Sequence, residues 1–159
     1  MANERPPRPP RKVLPFRCHI ELVNRQSSVR LDRAGLIDLA RFVLKNESVR
    51  RAAIEIAVVS DSEIARLNRK HLDHRGPTDV LSFDMGGGKE LSGLIVVSAD
   101  TARRRARELG HATQAELGLY LAHGLLHLLE YDDHRPGDRR KMHERQGELL
   151  AQFGMKLKG

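Results

Sequence analysis

The stretch DVLSFDMGGGKELSGLIVVS (79–98) holds two apolar, β-branched runs, VLSF and LIVV, with Gly86–Gly88 between them. It reads as a β-hairpin, or as two adjacent strands over a flexible tip. Upstream, AAIEIAVVS (52–60) has the composition of a central strand. CHIELVN (18–24) alternates Cys18, Ile20 and Leu22 with His19, Glu21 and Val23, the pattern of a half-buried strand. Between these, Asp32 is placed to cap a helix that carries Leu36, Leu39, Ala40, Val43 and Leu44 at helical spacing. Ser60 or Asp61 precedes a short helix with Ile64, Leu67 and His71 on one face. Downstream, Ser98 or Asp100 starts an Arg-rich helix that Gly110 ends. An apolar helix follows from about Ala112 to Tyr131, and a last amphipathic one runs from Pro136 to Phe153, stopped by Gly154. The order β-α-β-α-β-β-α-α-α predicts a single α+β domain, a small mixed sheet of about four strands packed by about five helices.

The 159 residues carry 28 Lys+Arg against 21 Asp+Glu, a net +7. One domain of that length buries roughly two-thirds of the surface its unfolded chain exposes. No apolar run approaches the roughly 18 residues of a membrane-crossing helix, and the N-terminus lacks the apolar core of a secretory signal. The lone Cys18 can form neither an internal disulfide nor a CxxC metal knuckle, which points to a reducing, cytoplasmic location. The charge is segmental: residues 1–12, 101–110 and 135–146 are each net +3, leaving the remainder at −2. Four of the seven prolines fall at positions 6, 7, 9 and 10, so residues 1–14 read as a flexible basic arm and 15–159 as the folded domain. A solubilising tail is the first reading of that arm, ahead of one that touches nucleic acid.

The chemistry concentrates in AHGLLHLLEYDDH (122–134). His123 and His127, four apart, are neighbours on one helix face, the spacing by which a helix offers two nitrogen ligands to a tetrahedral metal. On its own the pair reads first as two half-buried histidines satisfied by hydrogen bonds. What tips it toward a metal is the cluster Asp132, Asp133 and His134 just past the helix, any of which can supply a third ligand. Three protein ligands with an open position describe a catalytic zinc site at the end of the apolar helix, whereas structural zinc takes four, mostly Cys. Gly124 stands where the HExxH zinc peptidases place their general-base Glu, which disfavours peptide hydrolysis. A small residue there leaves room for a bulky substrate or for close helix packing. The second stretch, GPTDVLSFD (76–84), reads as loop into strand, with Asp79 and Ser82 as local hydrogen-bonders.

Together, HGLLHLLEYDDH (123–134) and PTDVLSF (77–83) resemble the YbeY family of bacterial rRNA-maturation endoribonucleases, whose signatures are H-G-x-L-H-L-x-G-Y-D-H and P-T-[DN]-V-L-S-F. The resemblance covers about residues 18–155. It implies a metal-dependent, single-strand-specific endoribonuclease acting in 16S rRNA 3′-end processing and ribosome quality control, with the small ribosomal subunit as partner and no membrane. It also exposes departures. The family's third histidine falls at Asp133, with His134 one residue further on; register favours Asp133, the preference of zinc for nitrogen favours His134, and Asp133 is the expected ligand of the two. The family's turn glycine is Glu130, and a non-Gly residue resists positive φ, which would let the turn shift toward His134. The arginine five residues before the P-T pair is Leu72, leaving Arg75 or Arg69 as nearby cations, and an acidic position after Gly93 is Leu94.

The implied mechanism is attack of a metal-activated water on an RNA phosphodiester, with Zn²⁺ held by His123, His127 and Asp133 or His134. Arg75, Arg103, Arg104, Arg139 and Arg140 are the candidate RNA-binding cations. Six aromatic residues in the whole chain favour backbone contacts over base stacking. The rival readings are a zinc-dependent peptidase or other hydrolase, and a non-catalytic ribosome-associated RNA-binding factor whose metal is structural.

Overall fold

Alternation of buried and exposed residues sets the first strand, β1 (Arg17–Asn24), in which Cys18, Ile20 and Leu22 point inward. In this computed structural model, which describes residues 16–72, 78–86 and 88–158, the other strands are β2 (Arg51–Val59), β3 (Val80–Asp84) and β4 (Leu91–Ser98). They form one four-stranded sheet in the order β1-β2-β4-β3. The pairs β1·β2 and β2·β4 are parallel, and the hairpin β3·β4 is antiparallel with Ser82 opposite Ile95. The sheet is therefore mixed, and β3 lies at its edge. The basic arm expected over 1–14 lies outside the described residues.

Five helices pack this sheet: α1 (Arg33–Asn46), α2 (Asp61–Leu72), α3 (Ala99–Leu109), α4 (Thr113–Leu128) and α5 (Pro136–Phe153). The Asp32 carboxylate accepts from Gly35 N–H at the start of α1, whose predicted stripe of Leu36, Leu39, Ala40, Val43 and Leu44 is buried throughout. Ser98 caps α3 through Thr101 N–H, and Gly110 closes it in the left-handed conformation at φ 78°. One face of the sheet packs with α1, α4 and α5 in a single core that includes Ile54, Ile56, Ile95, Leu121 and Leu125. The other face is covered at one end by α2, where Ile64 meets Val59, Leu81 and Val96. His71, exposed, sits edge-on to Phe83, which packs against the same cluster as Leu67.

Helix α4 is buried on almost every side, as its all-round apolar sequence demands. It ends at Leu128, three residues before the expected Tyr131. The Tyr131 N–H bonds the Leu126 carbonyl at 3.0 Å and the Glu130 N–H bonds the His127 carbonyl at 3.0 Å, a Schellman closure that requires a left-handed residue at 130. Glu130 supplies it at φ 69°.

Candidate metal centre

The last two turns of α4 present His123 and His127 half-buried on one face, their rings edge to face with centroids 4.6 Å apart. Their Nε2 atoms are 3.0 Å apart. The Glu130 turn then brings Asp133 back over them, with its Oδ2 3.5 Å from His127 Nε2. All three ligand atoms lie within 4.8 Å of one another. Ligand atoms about 2.0–2.2 Å from a tetrahedral zinc lie about 3.3–3.6 Å apart; the 3.5 Å spacing falls in that range and the 3.0 Å spacing of the two histidines is slightly shorter.

The protonation of His123 suits metal ligation. Its Nδ1 lies 3.0 Å from Oε1 of buried Gln146 on α5, an acceptor that keeps the ring proton on Nδ1 and leaves the Nε2 lone pair toward Asp133 and His127. Burial, and secondarily the neighbouring His127, push the His123 pKa below its ordinary value, against the raising effect of Gln146 and of Asp79 and Asp133. A neutral imidazole is the ligating form. Gln146 was not among the sequence candidates. Its signal is a polar residue within the buried helical series Met142, Gln146, Leu149 and Leu150.

The expected shift of the turn toward His134 does not occur, because the Schellman hydrogen bonds hold Glu130 at positive φ despite its side chain. His134 is 89% exposed, 3.8 Å from Asp132, and outside the group formed with the two α4 histidines. Asp132, Asp133 and His134 also gather on the turn itself, with Asp133 half-buried between two exposed neighbours.

These residues open onto a cleft of about 490 Å³ between the edge strand β3 and the turn after α4. Asp79 lines it and bonds its own neighbour, Val80 N–H, at 2.8 Å, a local role as expected. Ser82 is not local: its hydroxyl reaches 42 residues along the chain to the Gly124 carbonyl. A Cβ on Gly124 would sit 2.9 Å from Ile95 Cγ2 and 2.9 Å from Ser82 Oγ, so close helix–sheet packing explains this glycine. A glutamate at that position would have to push aside the Ile95, Ser82 and Val80 side chains, which disfavours an HExxH-type peptidase.

The candidate arginines do not converge. Arg75 lies outside the described residues. Arg104 is paired with Asp61 at 2.7 Å. Arg103 and Arg104 border a separate hollow with Asp100 and Glu108 that shares no residue with the metal cleft. Arg139 bonds the Asp133 carbonyl, and Arg140 is exposed on α5.

The Endoribonuclease YbeY family model matches residues 21–154. The chain belongs to this family. It is 38% identical over 143 residues to the Endoribonuclease YbeY of Syntrophotalea carbinolica, covering 85% of this chain and 94% of that protein. It is 36% identical over 151 residues to that of Oceanobacillus iheyensis, covering 86% and 98%. To that of an Anaeromyxobacter species it is 48% identical over 107 residues, covering 65% of this chain and 56% of the relative. The chain thus spans little more than half the length of the Anaeromyxobacter relatives. The solution structure of TM1509 from Thermotoga maritima shares the fold, with a TM-score of 0.60 over 84% of this chain and 88% of that one at 24% identity.

Proposed function

We propose that this chain is a metal-dependent endoribonuclease that cuts single-stranded RNA at the cleft between β3 and the turn after α4, with Zn²⁺ held by His123 Nε2, His127 Nε2 and Asp133. The observation that carries the reading is the ligand spacing of 3.0 and 3.5 Å on a Gln146-bonded histidine lining an open cleft. Family membership supplies the RNA substrate, and maturation of the 16S rRNA 3′ end with the small ribosomal subunit as partner is the setting in which we place it. A cytoplasmic location accords with the lone, buried Cys18. Among the described residues no helix is long and apolar enough to cross a membrane.

Bound there, a divalent ion supplies Lewis acidity to a phosphodiester oxygen or to water. The protein's own part is orientation. Gln146 fixes the His123 tautomer, the Schellman turn fixes Asp133, and the Ser82–Gly124 bond locks the histidine helix against the edge strand. Asp133 contributes one negative charge where the family has a neutral histidine, so the site retains a net +1 with a divalent ion and two neutral imidazoles. Chelation is expected to abolish cleavage of a single-stranded RNA while the chain stays folded and still binds it, with activity restored by Zn²⁺. Chelation that unfolds the chain would instead identify the metal as structural.

A further inference from the structure

The cleft contains a charge problem that its own lining does not solve. Asp79, Asp84, Glu130 and Asp133 border it, and no Lys or Arg does among the described residues. A divalent ion offsets only two of these four charges, so an RNA backbone entering the cleft needs a cation at the rim. We infer that Arg139 is that cation and that it grips a substrate phosphate beside the metal ligands; this rests on the reading of the chain as an RNA-cleaving enzyme.

Arg139 stands in the first turn of α5, and its Nε–H donates to the carbonyl oxygen of Asp133 at 3.1 Å. The guanidinium is thereby fastened to the residue that reaches His127. Its two Nη groups make no hydrogen bond or ion pair with any described residue, and the side chain is exposed. A guanidinium held through Nε keeps the Nη1–Nη2 edge free, which is the fork that takes two phosphate oxygens at once. The other described candidates lack this combination. Arg104 is neutralised by Asp61, Arg103 borders the separate hollow on α3, and Arg140 has no bond to the ligand turn.

The test compares zinc-loaded full-length wild type, Arg139→Ala, Arg139→Lys and Arg140→Ala for binding and cleavage of a single-stranded RNA oligonucleotide across a salt series, with zinc content measured on each. Loss of one charge-assisted phosphate contact predicts about tenfold weaker binding by Arg139→Ala and a salt slope shallower by about 0.7, at unchanged zinc content. Arg139→Lys should keep the slope and recover only part of the affinity, because a point charge replaces the fork. Three outcomes overturn the inference: Arg139→Ala with wild-type affinity and slope, a loss of zinc at unchanged slope, or an equal effect from Arg140→Ala. Failure of the wild type to bind or cut the RNA would overturn the functional reading itself.

Discussion

The Ser82 hydroxyl donates to the Gly124 carbonyl at 3.0 Å, tying the edge strand to α4 at a residue that lies between its two histidines. The glycine is there because the strand is there. Gly124→Ala places a methyl 2.9 Å from both Ile95 Cγ2 and Ser82 Oγ, an overpacking expected to cost about 1–3 kcal/mol. Urea unfolding measures it. A variant as stable as the parent would show that β3 yields freely and that the cleft wall is soft. Gly124→Glu is expected to gain no peptidase activity on a casein substrate.

Glu130 occupies the left-handed region at φ 69°, a conformation that costs a side-chain-bearing residue about 1–2 kcal/mol. Glu130→Gly relieves that strain while adding freedom to the unfolded chain, for a net gain of about 1 kcal/mol. For a chain of this size the melting midpoint should rise by about 3 °C. A fall in the midpoint would mean that the glutamate side chain contributes more than its backbone costs.

Metal content separates the two neighbours on the turn. Asp133→Ala should lose most of its zinc on dialysis, and His134→Ala should keep a full equivalent, measured by mass spectrometry of the metal. The reverse pattern would place the third ligand at His134 and require the turn to rearrange on binding.

Much of this was legible from local pattern. Cys18, Ile20 and Leu22 announce a one-sided strand, and Leu36 to Leu44 a one-sided helix, because burial on one face imposes its own period. The H-x3-H pair shows on sequence because helical spacing alone makes the two rings neighbours. What was not legible depends on long-range contacts. The parallel placement of β2 between β1 and β4 has no local signal, nor does the reach of Ser82 to Gly124. The premature end of α4 was missed because Glu130 hides a turn that a glycine would have advertised. Gln146 was missed because a polar residue in a polar segment looks like surface until its helical phase is counted.

Asp61 joins the starts of α2 and α3. It accepts from Ser98 Oγ at 2.6 Å, Thr101 Oγ1 at 2.7 Å and Arg104 Nη1 at 2.7 Å. Burial works against its carboxylate, but the bonds from Ser98, Arg104 and Thr101 outweigh it and hold the pKa below the ordinary value. A depressed folded pKa contributes stability that is present above the unfolded value and is lost as pH falls through the folded one. Asp61→Asn should therefore destabilise the chain by about 2 kcal/mol at neutral pH, with the gap to wild type narrowing below about pH 4. Denaturant midpoints from pH 7 to pH 3 would show it, and a gap independent of pH would contradict the ionised role.

The central claim is that His123 and His127 hold the metal that cuts RNA. Its most direct test is cleavage of a single-stranded RNA by zinc-loaded, nuclease-free wild type and by the His123→Ala/His127→Ala double variant. The account predicts site-specific cleavage by the wild type and at least a hundredfold loss, on the order of removing the metal's contribution, in a double variant that remains folded. Equal cleavage by the two proteins would contradict it.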